Sequence, residues 1–531
     1  MAALSPILGA DGAPMRRAAS DIRDTTHEGA SRMSRETARW HAPILSADAG
    51  LLYERDTLVS RARDQAANNG WVAGGLQRQL DAVIGQGLRL RSKPNWRALG
   101  LSSEWAFEFA DQVEAKWREY AMDPRCWIDS TRQSTFAGLC GTAFRHRVVD
   151  GEGLAVLHWI PNRGARYALA VELVDPDRLA NPIGAADSNV LRGGIELDGY
   201  GAFIAAHIRK SHPSDIGFRA DGYQVERVAR ETPWGRPQCV HFFEPERAGQ
   251  HRGKSMLAPV LAKLRMGDKY DKTELQAAVL NAVFAAFIQS KADPEMISEL
   301  LDSSDGFGNY QKERAGFYGE RAISVDGVAI PNLFPGDEFK FDTAARPHSG
   351  HWPFIQTVLR STASALGISY EQLSGDWSAV NYSSARAALI EVWRFLDARR
   401  FYFAQSFATP IYAAWLEEAI DLGDVELPPG APDFYEAMGA YTDCEWLGPA
   451  RGWVDPTKEA QGALMRIDGQ ISTSTIEAAI QGNDYDDVLE QQARERARRQ
   501  QLNLPDPGAG ARGQAPVEHA SDIEAREGQK P

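Results

Sequence analysis

Two neighbouring runs decide how the chain is read: Cys239-Val240-His241-Phe242-Phe243 and Ala248-Gly249-Gln250-His251-Arg252-Gly253-Lys254-Ser255. The first is apolar and short, the pattern of a strand. The second ends in Gly-Lys-Ser and carries Ala where a Walker A motif has its first Gly. In a true phosphate loop the backbone amides cradle phosphates, the Lys contacts them and the Ser ligates magnesium. Here His251 and Arg252 occupy the turn, and no strand ending in Asp completes the site. Leu173-Val174-Asp175 runs into Pro176, and Val325-Asp326 lies in a mixed segment far downstream. The run is therefore read as a tight glycine turn (Gly249, Gly253) that starts a helix at Lys254 and Ser255. Cys239 and His241 alternate on the strand and read as core.

Outward from this point the pattern is α+β. Residues 140–245 hold short apolar runs, Leu154–Trp159, Ala168–Val174 and Phe203–Ile208, separated by Gly, Pro and Asp clusters as strands are by turns. Before them, helical spacing begins at Tyr53 with Leu58, Ala62 and Ala66. It is interrupted at Asn68-Asn69-Gly70 and ends at Gly85-Gln86-Gly87. A second helix, Ser103 to Tyr120, puts Trp105, Phe109, Val113 and Trp117 on one stripe. After the glycine turn the spacing predicts a helix from about Ser255 to Gln289, roughly 50 Å long, with Pro259 in its first turn.

Residues 290–345 are mixed, with strand-like Arg321 to Ile330. A helix from Trp352 to Leu366 breaks at Gly367, and a loop from Tyr370 to Tyr382 leads into a helix from Ser383 to Ile420 that Pro410 kinks. Asp455-Pro456 opens a helix that Gly469 closes, Ser474-Thr475-Ile476-Glu477 reads as a capping box, and a charged helix spans Asp486 to Gln500. Residues 1–50 and 503–531 are compositionally suited to mobile segments, and no internal repeat is present.

A chain of 531 residues needs more than one structural region. Its net charge of −14 argues against a protein that coats nucleic acid by neutralising phosphates, but not against one that nucleic acid passes through. Cys126, Cys140, Cys239 and Cys444 have neither metal spacing nor a disulfide framework, as suits a reducing compartment. The longest apolar run, Leu275 to Ile288, is too short to span a bilayer, so no membrane insertion is expected.

Other chemistry is sparse, and neither a catalytic set, a cofactor nor a metal site is expected. His348 and His351 lack a third ligand, and no Gly-x-Ser-x-Gly elbow occurs. Arg386, Arg394, Arg399 and Arg400 interleave with Trp393, Phe395, Phe401 and Phe403. That pattern suits nucleic acid or packing, and a helix this apolar favours packing, with Arg paired to Glu391 or Asp397. Ser374-Gly375-Asp376-Trp377-Ser378-Ala379-Val380-Asn381 is short, polar and glycine-bearing, a loop able to move.

Five landmarks resemble the lambda family of phage portal proteins, in the order that family has them. They are Arg61 to Gly74 with its Arg-Asp and Asn-Asn elements; Val83-Ile84-Gly85-Gln86-Gly87-Leu88; Gly249-Gln250-His251-Arg252-Gly253-Lys254-Ser255 after Val240–Phe243; Tyr382-Ser383-Ser384-Ala385-Arg386; and Gly452-Trp453-Val454-Asp455-Pro456. The resemblance covers roughly residues 50–500. It implies a portal-type fold: a mobile segment (1–50), a wing (51–254), stem helices (255–289 and 346–369), a clip (290–345), a tunnel loop (370–383), a long kinked helix and wing return (384–450), a helical crown (451–502) and a disordered tail (503–531).

It also implies a dodecameric ring at a capsid vertex of the virion, assembled in the host bacterial cytoplasm. Its partners would be other copies of itself, terminase, the major capsid or scaffold protein, a head-completion protein and double-stranded DNA in the channel. On that reading Ser374, Gly375, Asp376, Trp377 and Asn381 face the channel, Tyr382, Arg386 and Arg394 begin the helix behind them, and Gly249, Gly253, Lys254 and Ser255 start the stem. The competing readings are a DNA-translocating ATPase, which needs a full Walker A/B pair, and a membrane pore, which needs a spanning segment.

Overall fold

A computed structural model describes residues 27–31, 35–215, 224–287, 322–325, 328–331, 350–378, 380–451 and 456–504. Helices α1 (Ala47–Asn68) and α2 (Gly70–Val83) lead to strand β1 (Arg89–Ser92), then α3 (Trp96–Leu99), α4 (Ser103–Ala121) and α5 (Phe136–Val149). The β block follows: β2 (Glu152–Trp159), β3 (Leu169–Val174), β4 (Leu191–Arg192), β5 (Ile195–Leu197), β6 (Phe203–Arg209), β7 (Val225–Ala229) and β8 (Cys239–Phe243). Next are α6 (Leu261–Phe287), β9 (Ala322–Val325), β10 (Val328–Pro331), α7 (His351–Leu366), α8 (Tyr370–Ser374) and α9 (Tyr382–Phe403). The chain continues through α10 (Thr409–Asp421), α11 (Met438–Tyr441), β11 (Cys444–Leu447), α12 (Pro456–Asp468), α13 (Ser474–Ile480) and α14 (Tyr485–Gln501).

The β block is two antiparallel sheets, β3-β2-β8 and β4-β5-β6-β7. A small core between them holds Leu154, Val156, Val174, Ile195, Leu197, Ile208 and Cys239. The main core lies on the helical side, around Trp117. Its ring packs edge-on against Phe136, Tyr412, Trp415 and Trp446 at centroid separations of 5.0 to 6.0 Å. β11 pairs antiparallel with β1, Leu90 opposite Trp446, and so returns the C-terminal part to this core.

Several expected boundaries move, each for a local reason. α6 begins at Leu261, not Ser255, because residues 255–260 are held in turns, with Met256 N donating to Val148 O at 3.1 Å; Pro259 precedes the helix. The described helix has 27 residues, about 40 Å. The stretch expected as loop from Tyr370 starts as the short helix α8, because Ser369 and Gln372 form a capping box. The expected box at Ser474 is a simple cap by Thr473, whose side chain accepts from Ile476 N. Between α9 and α10 the kink is a π-helical turn, Ala404–Ala408, directly before Pro410, whose missing N–H breaks the ladder there. The segments expected at 1–26, 288–321, 332–349 and 505–531 lie outside the described residues.

The β block joins the helices through one buried carboxylate. Glu152, fully buried at the start of β2, accepts from Arg55 of α1 at 2.7 Å, from Arg252 Nε at 2.7 and 3.0 Å and from Gly253 N at 2.7 Å, and pairs with His241 of β8 at 3.0 Å. Burial alone would push its carboxyl up; the charges of Arg252 and Arg55 outweigh this and hold it well below the ordinary range. Beside it, Arg63 of α1 reaches Asp150 at 2.7 Å, Asp175 at 2.9 Å and Asp177 at 2.8 Å. Asp175, Asp177 and His212 are close enough to share a metal, but the guanidinium of Arg63 already donates to both carboxylates.

The last helix docks by a second set of charges. Asp484 and Asp487 of the α14 start meet Arg91 at 3.2 Å, and Arg89 and Arg118 at 2.5 and 3.2 Å. Glu114 of α4 accepts from Ser92 N at 2.7 Å, and burial, with Asp484 adding, pushes its carboxyl up to about 7.

Two predictions follow from these carboxylates. Glu152→Gln removes the buried counter-charge of Arg252 and leaves Arg55 only its exposed partner Asp56, and should lower unfolding stability by about 3–5 kcal/mol in denaturant titration. Because the carboxyl is held low, its contribution is present above the ordinary range near pH 4.3 and fades as pH falls; the variant should lose that acid dependence. A cost under about 1 kcal/mol would show that the network is dispensable. For Glu114 the sign is opposite: its raised value makes stability full below the ordinary carboxylate range and lost as pH rises toward about 7. Glu114→Gln should therefore be the more stable protein at pH 8, by at most about 3 kcal/mol, and equal to wild type near pH 4.

Candidate functional site: the glycine turn and the loop at 374–381

The glycine turn is built backbone against backbone. A Cβ on Gly151, whose φ is +88°, would overlap the Lys254 backbone, and one on Gly253 would overlap the carbonyl of Gly151. The two turns can close on one another only because both residues are glycine. Gly249, at φ +73°, reverses the chain, and Gln250 staples the reversal by accepting from Glu246 N at 2.9 Å and donating to Arg252 O at 2.9 Å.

The amides that a phosphate loop would aim at its ligand are bonded to the protein's own carboxylates. Gly253 N donates to Glu152, and His251 N donates to Asp48 Oδ1 at 2.9 Å. Lys254 Nζ pairs with Glu246 at 2.5 Å, and Ser255 Oγ, buried, accepts from Leu257 N at 3.2 Å. All four groups of the Walker-like string are thus committed to anchoring the strand-to-helix connection.

The loop is reached through α7 and α8. Gly367 ends α7 at φ +65°, and a Cβ there would overlap the Phe395 ring of α9, so the corner needs glycine. Gly375, at φ +70°, ends α8, its N–H donating to Glu371 O at 2.8 Å. Asp376 N donates to Ser374 Oγ at 3.1 Å, and the Asp376 carboxylate accepts from Ser378 N at 3.1 Å and Ser378 Oγ at 2.6 Å. Those bonds from Ser378 hold its carboxyl below the ordinary range, so it is charged at neutral pH. Trp377 is 44% exposed. Asn381 caps α9, its Oδ1 accepting from Ser384 N at 2.9 Å. Arg78 of α2 donates to Leu373 O at 2.8 Å and fixes the root of the loop.

Among the other expected residues, Arg394 is exposed, Arg386 is half-buried, and neither forms an ion pair among the described residues. Arg400 donates to the carbonyls of Ala82 and Val83 and lies 3.4 Å from Asp397, and Arg399 pairs with Glu244, so these two serve packing. The side chains of Tyr382 and Ser383, and His348, lie outside the described residues; His351 pairs with Asp271 of α6 at 2.8 Å. One side chain of α2 links the residue after the glycine turn to the end of α7: Gln79 Nε2 approaches Met256 Sδ at 3.6 Å and donates to Leu366 O at 3.1 Å.

Sequence reading missed Asp48, Arg55, Arg63 and Glu152. The only local signal was the Asp150-Gly151-Glu152-Gly153 string, which reads as an ordinary turn. Among the described residues, no helix is long and apolar enough to cross a membrane.

Comparison with known proteins adds identity to this geometry. Residues 33–400 match the family described as phage portal protein, lambda family. Portal protein B of Escherichia phage lambda is 33% identical over 517 residues, covering 95% of each chain. The portal protein of Escherichia phage N15 is 33% identical over 509 residues, covering 94% of this chain and 95% of its own. The neck of a native gene transfer agent particle, computed with C12 symmetry, aligns with 82% of this chain and 99% of its own at a TM-score of 0.37 and 12% identity, too loosely to assign any residue a place. Family membership makes the chain structural rather than catalytic. The extent of the match and the level of identity leave one conclusion: the chain belongs to the lambda family of phage portal proteins.

Proposed function

We propose that the chain is the subunit of a closed ring, a dodecamer at one capsid vertex of the virion, through which double-stranded DNA is packaged and ejected. The observation that carries this is the match to lambda-family portals over nearly the whole length. In this reading α6 and α7 form the stem, the β block with α1 to α5 forms the wing, residues 290–345 form the clip that docks terminase and later the head-completion protein, and α12 to α14 form the crown. The ring meets the major capsid or scaffold protein at its rim and assembles in the host cytoplasm.

Exposed apolar surface supports a ring. Met266, Leu275 and Val279 of α6 and Trp352 and Phe354 of α7 are exposed, and α12, α13 and α14 contain no buried residue while presenting Leu464, Met465, Ile476 and Leu489. Apolar surface on this scale marks an interaction site, and a head-to-tail interface that closes would cover it. The committed amides of the glycine turn speak against the translocating ATPase, whose phosphate loop needs them free.

Within such a ring, symmetry would bring every copy of the 374–381 loop to one collar, with Asp376 presenting a carboxylate to the DNA. Repulsion from the phosphates, screened beyond about 8–10 Å, would let the duplex slide. Trp377 would brace the loop against the next subunit, because stacking on bases needs unpaired strands.

Mass photometry of the purified protein should show rings of about a dozen subunits alongside free monomer. A monomer or dimer at every concentration and salt would count decisively against the ring. Asp376→Lys should leave ring yield unchanged but reduce packaged or retained DNA, since the collar would then grip the backbone. Normal packaging in that variant would remove the loop from the channel.

A further inference from the structure

Arg147 and Arg399 share one carboxylate. Arg147 of α5 has a side chain only 8% exposed; it donates to Glu244 at 2.8 Å and to the Arg399 carbonyl at 3.2 Å. Arg399 of α9 pairs with the other oxygen of the same Glu244 and stacks 4.5 Å over Phe395. Both arginines line a half-open cavity of about 220 Å³ walled by α2, α5, α9 and the two turns around Glu244 and Lys254. The other charged pair at its wall, Lys254 with Glu246, is self-neutralising. One positive charge therefore remains over, and the cost of leaving it uncompensated falls on Arg147, the nearly buried member of the pair. Burial and the charge of Arg399 hold Arg147 down at about 10, the response of a guanidinium short of counter-charge.

Two unpaired polar atoms sharpen the picture. Among the described residues, Arg399 Nε, a donor, and Gln79 Oε1, an acceptor, are buried without a hydrogen-bond partner. Gln79 is 1% exposed and lines the same cavity. Its Nε2 donates to Leu366 O, so the oxygen is the free end. A ligand that suits this wall must be negative, must accept from guanidinium, and must itself donate one hydrogen bond. Sulfate and the phosphodiesters of DNA meet the first two requirements and lack the hydroxyl for the third. Free hydrogen phosphate meets all three, and the cavity has room for a tetrahedral oxyanion with its waters.

We propose that this cavity binds inorganic hydrogen phosphate, held by Arg147 and Arg399 and oriented by its hydroxyl on Gln79. The ion ties α2, α5 and α9 to the root of α6, and it is a structural ligand, with no bond made or broken.

The experiment is titration of the full-length protein with phosphate, sulfate and chloride at matched ionic strength, followed by calorimetry and by ³¹P NMR line broadening. Phosphate should bind at a saturable site and raise the thermal midpoint with concentration, with sulfate at least about tenfold weaker for want of one buried hydrogen bond. Arg399→Gln should weaken phosphate binding by about tenfold or more. Gln79→Met, which keeps the volume and removes the acceptor along with the bond to Leu366 O, should abolish the preference for phosphate over sulfate, each anion's shift being read against the variant's own anion-free midpoint; it tests the site even if the arginine variant folds poorly. A short DNA duplex should not compete. Absence of saturable phosphate binding, sulfate binding equally well, indifference to both substitutions, or displacement by duplex would each overturn the proposal, the last by assigning the site to DNA backbone.

Discussion

The placement of the β block on the entry helices and on the root of α6 depends on Glu152 remaining charged inside the protein. The residue contributes to β2, yet its partners come from α1, β8 and the turn before α6, at sequence separations of 97, 89 and 100 to 101 residues. A fully buried carboxylate is tolerable only when its oxygens are saturated by cations and donors. Arg55, Arg252, His241 and Gly253 N do this together. The β block, the entry helices and the start of the long helix are thereby fixed in one relative placement.

That placement sets the direction of α6. The turn leaves β8, reverses at Gly249 and returns past Gly151, and the helix can start only once Leu261 N reaches Leu257 O at 3.1 Å. A second clamp lies two turns into the helix region: Asp268 accepts from Asn69 at 2.8 Å and Gln65 at 3.1 Å, at the joint between α1 and α2. Asn69 thus caps α2 with its oxygen and holds α6 with its nitrogen. Val358 of α7 faces Gly267 across the helix pair, where even an added Cβ would make only ordinary contact. α6 is therefore oriented by polar clamps, at Asp268 to the joint of α1 and α2 and at Asp271 to His351 of α7.

Much of this was legible in the sequence, and the rest was not for definable reasons. The strand Cys239–Phe243 and the break at Asn69 could be read because their signals are local: apolar alternation in one, a capping side chain in the other. Helix starts were misplaced where a nearby bond competes. Ser255 looks like a helix start, but the Met256 amide is held by Val148 O, and the box at Ser369 and Gln372 was overlooked in a stretch whose glycine suggests loop. The Glu152 network could not be read at all, because Glu, Arg and His some hundred residues apart carry no mark that distinguishes them from surface charges. For the loop, position and glycine content were legible, whereas the anchoring of its root by Arg78 was not.

The way arginines are distributed bears on the proposed conduit. The chain carries 58 basic and 72 acidic residues. Arg55, Arg147 and Arg252 are nearly fully buried, and Arg63 and Arg400 are largely committed to internal carboxylates and carbonyls. Those guanidiniums neutralise interior acids and terminate helices, and they contribute little to the field outside the protein. Exposed acids such as Asp376 have no such interior partner. For the proposed ring, through which a polyanion must move, that partition adds to the net charge: these five guanidiniums are spent on internal carboxylates and carbonyls, while others, such as Arg125 and Arg494, stay exposed beside acidic neighbours that they pair with.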